Sequence, residues 1–142
     1  MATCKVDLET ATKIFDAYWE VNKSIKQVVA EQITKKVGNR SWLKNPINGF
    51  WYFLKNEKDK FSTLVQGTAS YVFDVWLGFV LLETQNLIGQ FHDEFILRER
   101  ESDTERVTSI VQKAIEETND YLKLDRTLGI DIQSGKRYSD IH

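Results

Sequence analysis

The chain has 142 residues, of which 42% are hydrophobic and 28% are charged, and its formal net charge is -2. This length fits one globular domain, and the hydrophobic content excludes an intrinsically disordered chain. The one cysteine, Cys4, excludes an internal disulfide and a cysteine-rich zinc site. A nucleic-acid binder needs a basic face that contacts phosphates. The nearly balanced charge of this chain therefore argues mildly against independent nucleic-acid binding.

The chain opens with apolar residues at helical spacing. Asp7 is suited to cap a helix that runs to about Glu20. The apolar positions of this helix are Leu8, Ala11, Ile14, Phe15 and Tyr18. A bend at 22–24 is predicted before the pattern continues to Ile33, and Gly38-Asn39 ends it. Residues 1–40 are therefore predicted to be a helical segment.

A hairpin is predicted next, with strands over 41–44 and 50–54 and an Asn48-Gly49 pair in the connection. Its aromatic residues are Trp42, Trp51, Tyr52 and Phe53. They are interpreted as core, with the alternative that some of them cover a junction with another polypeptide. Basic residues also cluster here and up to the next helix, where they are either a solvated face or phosphate contacts. They are Lys35, Lys36, Lys44, Lys55, Lys58 and Lys60.

A long central helix is predicted from about Asp59 to Glu83, with apolar residues around much of its circumference. Two short apolar runs then flank the tripeptide His92-Asp93-Glu94, which places two carboxylates at a hairpin tip. Adjacent acids on a tight turn must face water, a cation or a cationic partner. A bound magnesium ion is the specific hypothesis, and solvated surface is the alternative.

The remainder predicts a surface helix and a closing strand. Ser102-Asp103-Thr104-Glu105 has the pattern of a capping box, and the buried stripe of its helix begins at Val107 and ends at Leu122. Leu128–Ile132 alternates apolar and other residues as a half-buried strand does. The predicted fold class is α+β, with helices packed on an antiparallel sheet.

Three motifs in this order resemble the end of family-A DNA polymerases, the family of bacterial DNA polymerase I and of phage replicative polymerases. They are Gln66-Gly67-Thr68-Ala69 in the long helix, His92-Asp93-Glu94 in the hairpin, and the terminal His142. The stretches 14–19 and 24–28 resemble the helical region after the family's nucleotide-binding motif. The resemblance implies that 1–40 follows the fingers motif, whereas 41–142 is the C-terminal portion of the polymerase palm.

The resemblance implies nucleotidyl transfer assisted by two Mg²⁺ ions. Asp93 matches the family's second metal-bridging aspartate, and Glu94 matches a secondary acid near the metals. Carboxylate oxygens are the ligands that such hard cations prefer. Asp93 and Glu94 are therefore the expected catalytic and metal-binding residues.

DNA contacts are implied for six residues. Gln66 matches a glutamine that hydrogen-bonds the duplex in its minor groove, where every base pair offers acceptors. Gly67 would permit close approach to the duplex, and His92 would approach the phosphate or sugar at the primer end. His142 matches the family's terminal histidine and is implied to bind DNA. Lys58 and Ser62 stand where the family commonly has arginine and asparagine, so their contacts differ from the family pattern. Tyr138 stands where the family commonly has a tryptophan near the C-terminus.

The family's first metal-binding aspartate and its fingers helix precede the matched region. The chain is therefore expected to be one piece of a split polymerase, with a fragment of a longer polymerase as the alternative. It is expected to be active in DNA replication only with a companion chain that bears those elements. The two ions would be shared with that companion, and the other partners would be primer–template DNA and deoxynucleoside triphosphates. No membrane association is expected, and the expected location is the cytoplasm, of the host if the gene belongs to a phage.

Two other functions compete with this one. A catalytically silent remnant would bind DNA or a replication protein without chemistry, although the intact acids argue against it. An unrelated metal-dependent hydrolase would use His92, Asp93 and Glu94 as a local cluster. Neighbouring residues on a tight turn rarely complete a coordination sphere, so the hydrolase is the weakest of the three hypotheses.

Overall fold

The computed structural model describes residues 6–141 and has an α+β architecture. Over these residues, four α-helices accompany a three-stranded sheet and a separate two-stranded sheet, both antiparallel. The chain forms two compact units, Met1–Gly67 and Thr68–His142. The predicted fold class is confirmed at this level, with two small sheets where one was expected. The predicted boundary at residue 40 separates parts of a polymerase rather than compact units, and it stays a prediction.

The first unit begins with two consecutive helices, α1 (Leu8–Val21) and α2 (Lys23–Glu31). Asp7 caps α1 as predicted, because its carboxylate accepts a 2.8 Å hydrogen bond from the Thr10 amide. Asn22 forms the junction between the helices, which is the predicted bend. No residue of either helix is buried, so the apolar stripe of α1 is exposed.

The three-stranded sheet follows, in the order β1 (Thr34–Val37), β2 (Arg40–Lys44) and β3 (Trp51–Leu54). The hairpin between β2 and β3 is confirmed, with Gly49 at a φ of 73° in its connection. β1 was not predicted, because the helix ends at Glu31 rather than at Gly38. Gly38, at a φ of 58°, instead begins the two-residue turn that joins β1 to β2.

The inner face of this sheet forms the core of the first unit. Leu43 of β2 and Leu54 of β3 are fully or almost fully buried, as is Leu64 of the helix α3 (Lys60–Glu83). The Tyr52 hydroxyl donates to the Gly67 carbonyl at 3.2 Å, which ties the sheet to this helix. Tyr52 is therefore a packing residue, as predicted. The core prediction is wrong for Phe53, which is 54% exposed, and Trp42 and Trp51 are only half-buried, on the opposite face of the sheet.

The second unit packs the C-terminal part of α3 against α4 (Thr104–Leu122) and a hairpin of β4 (Leu87–Phe91) and β5 (Glu94–Leu97). Its core cluster consists of Val80, Val107, Val111 and Ala114, with Trp76, Phe79, Phe95, Leu97 and Ile130 packed against it. The predicted long helix and the predicted stripe of α4 are thus confirmed. The Trp76 indole N–H donates a 3.4 Å hydrogen bond to the Val111 carbonyl. The one polar group of this large side chain therefore has a hydrogen-bond partner.

The capping box predicted at the start of α4 does not form. A 3₁₀ turn over Glu101–Asp103 precedes the helix, and Asp103 rather than Ser102 occupies the cap position. No side chain caps this helix end. The helix therefore begins one residue later than the pattern indicated.

The strand predicted over Leu128–Ile132 is also wrong, because this segment is irregular. The Asn119 side chain donates to the Leu128 carbonyl and accepts from its amide, at 2.9 and 2.8 Å. These two bonds satisfy the backbone groups that a neighbouring strand would otherwise pair. Ile130 is half-buried and packs against the core, whereas Leu128 and Ile132 are exposed. Only the inward position of Ile130 was therefore predicted correctly.

One helical stretch, Glu57–Glu83, is long and apolar enough to cross a membrane by length and composition. Core helices of soluble proteins pass the same test, so one such helix is weak evidence. Its Val80 belongs to the core cluster of the second unit. The expected location of the protein stays a prediction.

Candidate functional site: the His-Asp-Glu hairpin

The His-Asp-Glu tripeptide lies at a two-residue hairpin turn. Phe91 of β4 pairs with Glu94 of β5, which leaves His92 and Asp93 as the whole connection. His92 has a φ of 49°, in the left-handed region that few residues other than glycine adopt. Both turn residues are exposed, whereas Glu94 is half-buried at the start of its strand. The hairpin predicted from the sequence is confirmed, with its acids at the tip.

Aromatic and aliphatic packing holds this hairpin on the core of the second unit. The Phe95 ring lies 4.6 Å from the Trp76 ring and 6.0 Å from the Phe73 ring, measured between centroids. Leu97, two residues further on the same face of β5, packs against the core cluster. The tip is therefore carried by a strand whose other residues are fixed by the core.

A polar cluster joins the two ends of the hairpin at its base. Glu99, which follows β5, accepts hydrogen bonds from the Thr84 hydroxyl at 2.5 Å and from the Asn86 amide at 2.9 Å. Asn86 also accepts a backbone bond from Arg98 at 2.9 Å. Thr84 lies directly after α3, so one carboxylate links the helix end to both strands.

Hydrogen bonding changes the acidity of this carboxyl group. The bond from the Thr84 hydroxyl lowers the pKa of Glu99, and this effect is larger than the opposing effect of burial. The Asn86 amide and the positive charge of Arg106 lower the pKa further. The charged form of Glu99 is therefore the form that the cluster stabilises. Glu99 was not predicted from the sequence, where its signal is a pair of polar residues, Asn86 and Glu99, just outside the two strands.

The donor atoms at the tip suit a hard cation, but they do not complete a site. Asp93 and Glu94 supply carboxylate oxygens on consecutive residues, which is the ligand type that Mg²⁺ prefers. Across residues 6–141, no group of three or more His, Cys, Asp or Glu side chains lies close enough to hold a metal ion. A metal at this hairpin would need further ligands from water, substrate or another chain.

The residues predicted to contact duplex DNA lie in the first unit. Ser62 and Gln66 are one helical turn apart near the start of α3, and both are exposed. Lys58 lies just before them in the 3₁₀ turn Glu57–Asp59 and is exposed as well. The Ser62 hydroxyl donates to the Asp59 carbonyl at 3.0 Å, so it has a local role at the helix start. Their contacts with DNA stay predictions.

Gly67 is buried against an aromatic ring. A Cβ atom at this position would lie 2.8 Å from Cζ of Tyr52, closer than real side chains approach. Close packing of the ring on α3 therefore accounts for the glycine without any DNA contact. The predicted approach of the duplex to Gly67 is untested, and His142 lies outside the described residues.

The two parts of the predicted site lie in different units: His92, Asp93 and Glu94 in the second, and Lys58, Ser62, Gln66 and Gly67 in the first. Comparison with known protein families, characterised proteins and solved structures found no match to this chain. The functional assignment therefore depends on the motifs and on the geometry of the hairpin.

Proposed function

We propose that this chain is the C-terminal part of a family-A DNA polymerase, comprising a portion of the palm and a piece of the fingers, and that it acts in DNA replication with a companion chain. The observation that carries the proposal is the hairpin, whose two-residue turn exposes Asp93 and whose next residue is Glu94. A long helix with Gln66 precedes this hairpin, and an amphipathic helix follows it, in the order that the resemblance implies.

Each predicted site residue has a role in this proposal. Asp93 and Glu94 would hold two Mg²⁺ ions, which stabilise charge on the attacking and leaving oxygens of phosphoryl transfer. The core packing of Phe95 and Leu97 fixes the strand that carries these acids, so their position is set in advance of substrate binding. His92 at the exposed tip is available to the primer end, and Gln66 on α3 is available to a minor groove.

The need for a companion is supported by apolar surface on the first unit. Leu8 is 84% exposed and Val21 is 82% exposed, with Ile14, Phe15 and Tyr18 more than half exposed between them. Together these five side chains leave on the order of 600 Å² uncovered, close to the roughly 800 Å² that each partner buries in a stable interface. A companion that bears the first metal-binding aspartate and the fingers motif would cover this surface.

Primer extension tests the proposal. The chain alone, the candidate companion alone and their mixture are incubated with primed DNA, deoxynucleoside triphosphates and Mg²⁺. Synthesis is expected only in the mixture, and Asp93→Ala is expected to reduce it by about 10²- to 10³-fold, because one metal ligand is lost. Asp120→Asn on the exposed side of α4 is the matched control and keeps full activity.

Two results would contradict the proposal. If the companion and this chain form a stable complex that is silent, the chain is a remnant that binds DNA or protein without chemistry, and Gln66→Ala then lowers DNA affinity. If the isolated chain hydrolyses a simple phosphodiester and loses this activity with Asp93→Ala, the hairpin belongs to a metal-dependent hydrolase.

A further inference from the structure

The sheet of the first unit has an outer face whose composition is unusual for a solvent-facing surface. Side chains alternate between faces along a strand, and directly paired residues share a face. The buried residues Leu43 and Leu54 define the inner face, so the intervening positions define the outer one. The outer face consists of Lys35, Val37, Arg40, Trp42, Lys44, Trp51 and Phe53.

Three aromatic rings lie next to one another on this outer face. The Trp42 and Phe53 rings make an edge contact with centroids 5.8 Å apart. Phe53 is 54% exposed, and both tryptophans are half-buried. A sheet with one buried face usually presents polar residues on the other. Three exposed or half-exposed rings on one small sheet therefore indicate a surface that contacts a ligand.

Cationic side chains surround these rings. The Lys35 ammonium lies 3.9 Å from the centroid of the Trp51 ring, which shows that β1 and β3 project these side chains from the same face. Arg40 and Lys44 occupy the same face from β2. From Thr34 to Leu54 the chain has four basic residues and no acidic residue, although its net charge is -2. The positive charge is thus concentrated on this sheet.

The positive charge of the outer face indicates whether a protein or a polynucleotide is the better ligand for it. The core of a protein–protein interface is depleted of lysine, because burying an unpaired ammonium group is costly. A polynucleotide brings phosphates for the cations and flat bases for the rings. Single strands fit better than duplex, since only unpaired bases expose the faces that stack on aromatic side chains.

We propose that the outer face of the β1–β2–β3 sheet binds single-stranded nucleic acid, with bases stacked on Phe53 and Trp42 and phosphates held by Lys35, Arg40 and Lys44. Sheets of comparable size accommodate about two or three stacked bases. This function requires neither the His-Asp-Glu hairpin nor a metal ion, so it stands apart from the polymerase proposal. The duplex contacts predicted for Gln66 involve different residues.

The test titrates the full chain into a labelled oligothymidylate of about 12 nucleotides, in low salt with EDTA and without any companion. Fluorescence anisotropy should rise, and tryptophan fluorescence should fall as a base stacks on Trp42. Phe53→Leu keeps an apolar side chain but removes the ring, and it should weaken binding about tenfold. Phe53→Tyr restores a ring and should restore affinity, whereas Phe15→Ala on α1 is the matched aromatic control and should change nothing.

Salt dependence tests the phosphate contacts separately. Each cation that contacts a phosphate of a single strand contributes about 0.7 to the slope of log affinity against log salt. Lys35→Gln and Arg40→Gln should each reduce the slope by about that amount, whereas Lys113→Gln on α4 should leave it unchanged. Circular dichroism confirms that every variant is folded.

Three results would overturn the proposal. They are no binding at low salt, equal binding by wild type and Phe53→Leu, and tighter binding of a duplex of the same length. If a companion chain binds through Phe53 and excludes the oligonucleotide, the outer face is a protein interface. Primer extension that fails while the oligonucleotide binds as described would refute only the polymerase proposal.

Discussion

His92 occupies a backbone conformation that its side chain does not favour. Its φ of 49° at the first position of a two-residue turn is a position where glycine is the common choice. We expect His92→Gly to keep or raise the free energy of unfolding, by up to about 1 kcal/mol, and His92→Val to lower it by about 1 to 2 kcal/mol. Chemical denaturation measures both variants.

The control for this prediction is Gln90→Val, on the exposed part of the neighbouring strand, where a β-branched residue is tolerated. A destabilised His92→Gly variant would mean that the imidazole itself stabilises the turn. If the glycine variant is more stable yet less active in primer extension, the histidine is retained for function at a cost in stability.

Glu99 makes the stability of the second unit depend on pH. Its pKa is lowered from an ordinary value of 4.5, mainly by the Thr84 hydrogen bond. The stabilisation is therefore fully present above about pH 4.5 and is lost as the pH falls through the lower pKa of the folded state. We expect Glu99→Gln to lower the urea midpoint at neutral pH, and the difference from wild type to shrink as the pH falls below 4.5.

Glu116→Gln on the exposed side of α4 is the matched control for Glu99. Because Glu116 is exposed, Glu116→Gln should leave the urea midpoint close to that of the wild type. If the urea midpoints of Glu99→Gln and the wild type differ by the same amount at every pH, the stability of the cluster does not depend on the charge of Glu99.

At the scale of elements, the two glycines of α3 have opposite surroundings. A Cβ at Gly67 would meet the Tyr52 ring at 2.8 Å, whereas nothing lies within 4 Å of a Cβ at Gly78. Overpacking of this kind costs about 1 to 3 kcal/mol, and alanine gains about 0.5 to 1 kcal/mol over glycine in an exposed helix. We expect Gly67→Ala to lower the melting temperature and Gly78→Ala to raise it.

Each glycine variant serves as the control for the other, since both add one methyl group to the same helix. Tyr52→Ala should remove the penalty at Gly67, so that Gly67→Ala becomes neutral or stabilising in that background. Equal effects of the two alanine substitutions would mean that Tyr52 is not packed on the helix in solution.

Elements with strong local signals were predictable from the sequence, and elements set by tertiary contacts were not. The long helix and both predicted hairpins formed, because their apolar periods and turn residues agree with the fold. β1 was missed because Thr34–Val37 is fully exposed and has no apolar face. The Leu128–Ile132 strand was wrong because the Asn119 side chain binds the Leu128 backbone, which no periodicity reveals.

The candidate site was predictable only in part for the same reason. The acids at the hairpin tip follow from local sequence, because two short apolar runs enclose them. The Glu99 cluster joins residues 15 and 13 positions apart in the chain, and the outer face depends on the register of three strands. Arrangements of residues that are distant in the sequence can be recognised only once the fold is known.

At the scale of the whole molecule, charge and apolar surface are unevenly distributed. The sheet segment from Thr34 to Leu54 is purely basic, whereas Asp7–Glu20 has four acidic residues and one lysine. The exposed stripe of α1 is thus bordered by acids, and a symmetric contact between the α1 helices of two copies would bring like charges together. A companion with a basic rim around an apolar groove would be favoured.

A substitution in the exposed α1 stripe should change binding to the companion without changing the stability of the isolated chain. Phe15 is 59% exposed, so Phe15→Ala should leave the melting temperature of the isolated chain almost unchanged. Aromatic residues at the centre of an interface contribute about 2 kcal/mol or more, so the same change should weaken binding to the companion at least about tenfold. Lys13→Ala, also exposed on α1, should have little effect on either quantity, because rim charges contribute little. Calorimetric titration of the companion with each variant measures the binding, and an unchanged affinity with Phe15→Ala would place the interface elsewhere.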